Sequence, residues 1–174
     1  MSLSRAPNRP PATRALCGGF LLALCAATLL AACAGKPPPS PPRATAASAH
    51  AANDVLMRAI GLVGTPYRWG GNTPEGGFDC SGLVGFVYRD AAGLALPRSA
   101  AEIARAPGMR LQRNQLAAGD LVLFGERDRV DHIGIYVGDR RFVHAPSSGG
   151  TVRLDALDGP YWQRRFVGGR RLLR

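Results

Sequence analysis

The spacing of apolar residues changes character once along this chain. Val55, Leu56, Ala59, Ile60 and Val63 recur at three- and four-residue steps, the period of an amphipathic helix. Asn53 or Asp54 is its expected cap and Gly64 its expected stop. Leu83, Val84, Val87 and Ala91 repeat that period between Asp79 and Gly93. They predict a second helix with Asp79 at the N-cap and Cys80 as its first residue. Gly82 and Gly85 inside it each cost roughly 1 kcal/mol relative to Ala, which implies a close neighbour at both. A short helix is expected at 100–106, stopped by Pro107 and Gly108. From Gly119 onward the pattern is that of strands. Residues 121–124 are a continuous apolar run, and 131–137 and 140–145 flank Gly138-Asp139 as the arms of a hairpin. Further strands are expected at 151–154 and 165–173. Helices first and strands after predict an α+β fold with an antiparallel sheet.

Ahead of this region the chain is of another kind. Arg5, Arg9 and Arg14 precede an almost wholly apolar run from 15 to 30, which ends in Leu30 Ala31 Ala32 Cys33. That quartet resembles the lipoprotein box, in which the cysteine is lipidated and becomes the first mature residue. The expected organisation is a signal peptide at 1–32, a lipidated Cys33 with a Pro- and Ala-rich tether at 33–52, and one folded domain at 53–174. An uncleaved anchor is the alternative, since the run nearly reaches spanning length. The Pro-rich part of the tether is expected to be extended and the rest without a core; His50 within it reads as solvated. Ala34 after the cysteine is compatible with an outer-membrane location facing the periplasm.

The formal charge is +10, and removing Arg5, Arg9 and Arg14 leaves about +7, nearly all arginine. An export signal and the lack of an aromatic-interleaved basic patch argue against nucleic acid. An anionic envelope partner suits the balance better. Arg164, Arg165, Arg170 and Arg171 read as the solvating residues of an edge strand, with a ligand surface as the alternative.

Cysteine number sharpens the picture. Loss of Cys17 and Cys25 with the leader and acylation of Cys33 leave Cys80 as a single thiol, and exported proteins normally use cysteines in pairs. A thiol nucleophile needs a base and a group that orients the base. Outside the tether the only histidines are His132 and His144. Side chains alternate along a strand, so a strict two-residue turn at Gly138-Asp139 puts the two rings on opposite faces. A bulge or an odd-length turn restores them to one face, and that is the expectation; Gly134 beside them would leave room for Cys80 or a substrate. Lowering the thiol pKa by about two units takes nearly 3 kcal/mol. A helix N-terminus supplies roughly 0.3–2 kcal/mol, and an imidazolium about 4 Å away up to about 4 kcal/mol. The histidine is therefore expected to dominate as an ion-pair partner. The Cys80 amide is a candidate oxyanion donor, helped by Tyr67 or a neighbouring loop; Trp69 reads as a cover over the core. No close-spaced ligand pair supports zinc.

Tyr67 Arg68 Trp69 Gly70 Gly71, Gly77 Phe78 Asp79 Cys80 Ser81 Gly82, Leu96 Pro97 Arg98 Ser99, residues 119–124, His132 Ile133 Gly134 Ile135 Tyr136 and the later His144 together resemble the NlpC-type (NlpC/P60) cell-wall peptidases, and within them the tethered Spr-like murein endopeptidases. The resemblance covers 54–173 and implies a papain-like fold. It implies hydrolysis of peptidoglycan stem peptides or cross-links with Cys80 as nucleophile, His132 as base and His144 as orienter. Tyr67, Asp79 and Ser81 match positions that line the site and bind substrate. No cofactor or metal is implied, the expected partners are murein peptides and the membrane through Cys33, and a monomer is expected. Two other readings share the scaffold: a non-catalytic peptidoglycan-binding lipoprotein, and an acyl or amide transferase.

Overall fold

The computed structural model describes residues 45–127, 129–148 and 150–173. The expected signal segment, Cys33 and the Pro-rich run lie outside them. No helix among the described residues is long and apolar enough to cross a membrane.

Helix α1 spans Ala46–Gly61. It starts well ahead of the expected cap at Asn53 or Asp54, so residues 46–52 are helical and were wrongly expected to be uncondensed tether. The local cause is Thr45, whose side chain accepts from the Ser48 amide at 3.2 Å. The following Ala-rich turns have the highest helix propensity available. Tertiary packing adds to this: Ser48 is buried, and the place where a Cβ on Gly119 would sit is 3.0 Å from Ala52.

After α1, β1 (Asn72–Thr73) and β2 (Gly77–Phe78) form a small antiparallel ribbon. Helix α2 spans Cys80–Ala92, with Asp79 as N-cap and Gly93 at φ 64° as its left-handed C-cap. Leu83, Val84, Val87 and Tyr88 are fully buried. Gly82 and Gly85, expected to share one reason, differ. A Cβ at Gly82 would lie 2.0 Å from the Gly71 carbonyl oxygen, whereas Gly85 has nothing within 4 Å. Helix α3, Ala100–Ile103, is held by a capping box between Ser99 and Glu102.

The strands are β3 (Met109–Leu111), β4 (Leu121–Glu126), β5 (Arg129–Gly138), β6 (Arg141–His144), β7 (Arg153–Ala156) and β8 (Phe166–Arg171), with α4 (Pro160–Arg165) before the last. They make one antiparallel sheet in the order β3-β8-β4-β5-β6-β7. Both faces are covered. On one, Leu121, Leu123, Ile133, Ile135 and Val143 pack with the buried residues of α1, α2 and α3. On the other, Val122, Phe124, Phe142 and Leu157 pack with Trp162 of α4. Strand β8 is interior rather than at the edge. Its arginines are accordingly engaged: Arg171 grips Asp120 at 2.8 and 2.7 Å, and Arg170 donates to the Ala104 and Gly108 carbonyls. Arg165, just before it, grips Asp131 with both oxygens at 2.7 Å.

Candidate active site

The hairpin of β5 and β6 carries the expected irregularity. Tyr136 pairs with Phe142 but Gly138 pairs with Arg141, so one extra residue sits on β5 between them. In this register His144 lies opposite Gly134, diagonal to His132 and on the same face. His132 Nε2 and His144 Nδ1 are 2.9 Å apart, with the rings near perpendicular at 88°. The absent side chain of Gly134 makes room for these neighbours rather than for the thiol: a Cβ there would be 2.7 Å from the Phe142 ring and 3.3 Å from His144 Cβ.

Cys80 stands at the first turn of α2 and, among the described residues, is the free cysteine. It lines an open cleft of about 1060 Å³ together with His132, Tyr67, Asp79 and Ser81. Backbone amides of Ile133, Ser81 and Cys80 itself favour the sulfur anion, against the larger effect of burial. His144 is fully buried behind His132 and does not line the cleft.

Asp79 caps the helix, as its position suggested, and also ties in the neighbouring loop. One oxygen accepts from the Gly82 amide at 2.7 Å, and the other accepts from Gly70 at 3.0 Å. Arg98 grips both, at 2.9 and 2.6 Å, and reaches Ser81 Oγ at 2.8 Å. Although partial burial opposes it, these donors hold the Asp79 carboxyl below its ordinary range. Tyr67 is set by its amide bond to the Gly150 carbonyl at 2.9 Å and by its bridge to Phe78. Burial, with the Cys80 and Asp79 charges behind it, raises its phenol. Trp69, expected over the core, is 87 % exposed on the cleft rim; the amide of the next residue, Gly70, donates to Asp79.

Electrostatics overturn one expectation. Burial and the neighbouring Asp79 charge push the Cys80 thiol up, not down. Burial, reinforced by His144 and Arg165, pushes His132 down to about 3. Burial pushes His144 down to about 4, against the pull of Asp155. The resting site therefore holds a neutral thiol and neutral imidazoles. Desolvation thus opposes the ion pair expected from a solvated imidazolium.

Several residues at the site carried no role in the sequence. Asp155 of β7 accepts or shares a proton with His144 Nε2 at 3.0 Å. It also accepts from Trp162 Nε1 at 2.8 Å and from Arg153 at 3.1 Å through two nitrogens. The Trp162 ring stacks on His132 at 5.1 Å and 25°. A strand at 151–154 was expected, one residue short of Asp155. Once β7 is paired, Arg153 lies opposite His144 and Asp155 two residues along the same face. Arg98 belonged to a recognised motif but had no stated partner. Among the described residues, no group of three or more His, Cys, Asp or Glu side chains is placed to hold a metal ion.

Comparison with known proteins agrees with the fold. Residues 64–171 match the NlpC/P60 family model. Over 122 residues the chain is 39% identical to murein DD-endopeptidase MepH of Escherichia coli K12, covering 68% of this chain and 45% of the relative. Over 110 residues it is 43% identical to murein DD-endopeptidase MepS/murein LD-carboxypeptidase of the same strain, covering 63% and 57%. The chain thus spans about half the length of the curated relatives it matches. The crystal structure of an NlpC/P60 family protein from Bacillus cereus ATCC 10987 superposes with a TM-score of 0.66 at 30% identity, covering 71% of this chain and 40% of that one. With that family match over residues 64–171 and a papain-like arrangement of helix and antiparallel sheet, the chain belongs to the NlpC/P60 family.

Proposed function

We propose that the protein is a cysteine endopeptidase that hydrolyses peptide bonds in peptidoglycan stems or cross-links. The observation that carries this reading is the convergence on one cleft of the Cys80 thiol and His132, whose far nitrogen is held by His144 at 2.9 Å. A buried pair of histidines behind a free thiol on a helix mouth has the parts of a nucleophile, a base and an orienter. The murein relatives supply the substrate class; they include both DD- and DL-endopeptidases, so a cross-link and a stem bond both stand within the reading.

In this mechanism the neutral thiol gives its proton to His132 as sulfur bonds to the scissile carbonyl carbon, so the thiolate exists only as it attacks. The Cys80 amide at the helix start is the donor this mechanism assigns to the developing oxyanion. His132 hands the proton to the departing amine as the C–N bond breaks, which leaves a thioester. Water, deprotonated by the same ring, attacks the thioester and releases the carboxylate and the thiol. Tyr67, Asp79 and Ser81 line the approach. The reading extends to the whole protein: acylation at Cys33, a lipid anchor in the outer membrane facing the periplasm, and a monomer.

Purified muropeptides digested with the wild type and with Cys80→Ser, read by mass, test the proposal. Cross-linked dimers or stem peptides are expected to be cut by the wild type and to persist with the variant. Iodoacetamide should abolish the cleavage and a chelator should not. An unchanged digest from reduced wild-type protein would instead mark a peptidoglycan-binding module.

A further inference from the structure

The two imidazoles end on a carboxylate, and that end fixes the protons along the row. Asp155 is ionised: burial opposes this, but Arg153 and Trp162 hold its carboxyl below the usual range. An ionised carboxylate only accepts. His144 Nε2, 3.0 Å from Asp155 Oδ2, must then carry the proton of that bond. A neutral imidazole has a single N–H, so His144 Nδ1 is bare. The bond of 2.9 Å to His132 is left to be donated by His132 Nε2. His132 is neutral in its turn, and its Nδ1 is the nitrogen with a free lone pair.

We propose that Asp155 is a positioning residue that acts through His144 to hold His132 as the Nε2–H tautomer, leaving Nδ1 to take the proton of Cys80. The role of His132 as the base rests on the peptidase reading; the tautomer does not. Without a terminal acceptor the row reverses with little cost. His144 then donates from Nδ1 to His132 Nε2, and His132 carries its proton at Nδ1. That ring offers the thiol a donor and cannot accept from it. Asp155 is itself held in place: Trp162 donates to the oxygen that His144 uses, Arg153 donates to both oxygens, and the Trp162 ring lies flat on His132. The Asp155 charge also acts on both rings in the direction that favours their cationic forms, as when His132 becomes cationic in the reaction.

Long-range ¹H–¹⁵N correlation of the histidine rings in the ¹⁵N-labelled wild-type protein at pH 7 reads the tautomers without any substrate. His132 and His144 are both expected as Nε2–H with bare Nδ1. Asp155→Ala should give averaged tautomer signals for His132. On muropeptides its kcat should fall on the order of tenfold to a hundredfold, with KM nearly unchanged. Asp155→Asn, whose amide oxygen can still accept from His144 and Trp162, should restore the single tautomer and part of kcat. A proton on His132 Nδ1 in the wild type overturns the proposal, and so does an Asp155→Ala variant that keeps both one tautomer and full kcat. The wild-type spectrum decides even if Asp155→Ala does not fold. The expected tautomers in a protein that leaves muropeptides intact would sink the peptidase reading and leave the relay standing.

Discussion

Arg98 binds both carboxylate oxygens of Asp79, the residue that caps the helix bearing Cys80. One carboxylate thereby ties together the Gly70 loop, the start of α2 and the segment after α2. The same guanidinium aims the Ser81 hydroxyl. The cleft floor is thus set by a residue outside the nucleophile helix.

Arg98→Ala should harm activity more than stability. The Arg98 side chain is half exposed, and a solvent-screened pair contributes only about 0–1 kcal/mol. A fall in Tm of no more than a few degrees is expected. Freed from the fork, Asp79 and Ser81 lose their fixed directions, and kcat/KM on muropeptides should fall roughly tenfold or more. Arg98→Lys keeps the charge but not the two-pronged geometry and should lie between. Thermal melts and steady-state kinetics on the three proteins check this; equal losses in both readouts would make Arg98 a structural brace only.

The two glycines of α2 should respond to the same substitution in opposite ways. A methyl at Gly82 would sit 2.0 Å from a backbone oxygen of Gly71 that cannot turn aside. Gly82→Ala is expected to destabilise by about 1–3 kcal/mol or more and to shift the Asp79 cap. Gly85 faces open space, so Gly85→Ala should gain about 0.5–1 kcal/mol from helix propensity alone. Denaturant midpoints of both variants against the wild type give the two signs directly.

That contrast shows what could be read in the chain. Periodicity places an element and its caps, and it located α2, its Asp79 start and its Gly93 end. It does not say which loop returns to a helical glycine, because the Gly71 approach is a tertiary event. The bulge between β5 and β6 was legible because two histidines of opposite parity had to meet. Asp155 was hidden because strand ends depend on pairing with a neighbour, and Arg170 because only the sheet order shows that its strand is interior. The start of α1 was misjudged because Ala and Ser were taken as tether composition, although the same residues after a Thr45 cap make a good helix. The burial of His132, which opposes its charging, was not legible because it depends on tertiary packing.

Trp69 on the cleft rim should behave as a binding residue. At 87 % exposure it buries little apolar surface, so Trp69→Ala should leave Tm within about 1–2 °C, in keeping with exposed sites away from caps and cores. As a wall of the cleft it should raise KM several-fold, with kcat less affected. A large drop in Tm would return it to the core-covering role that its aromatic character suggested.

The buried rings make stability fall on the acid side. Unfolded histidine titrates near 6.5, while the folded His132 and His144 stand at about 3 and about 4. Between those values the unfolded chain binds protons that the native protein refuses, so stability rises with pH there. The contribution is complete above about pH 6.5 and is lost as pH falls through 6.5 toward 4. Both rings act in the same direction, so their effects on acid stability reinforce each other. The raised thiol acts at the other end, since an unfolded chain above pH 8.5 ionises where the native one does not. The melting temperature should therefore hold near neutrality and drop steeply below about pH 6. Iodoacetamide should react with Cys80 along a profile whose inflection lies above that of a free cysteine. A Tm that stays flat from pH 7 to 4.5, or a thiol that reacts fully at pH 6, would mean that the folded site carries the imidazolium–thiolate pair after all.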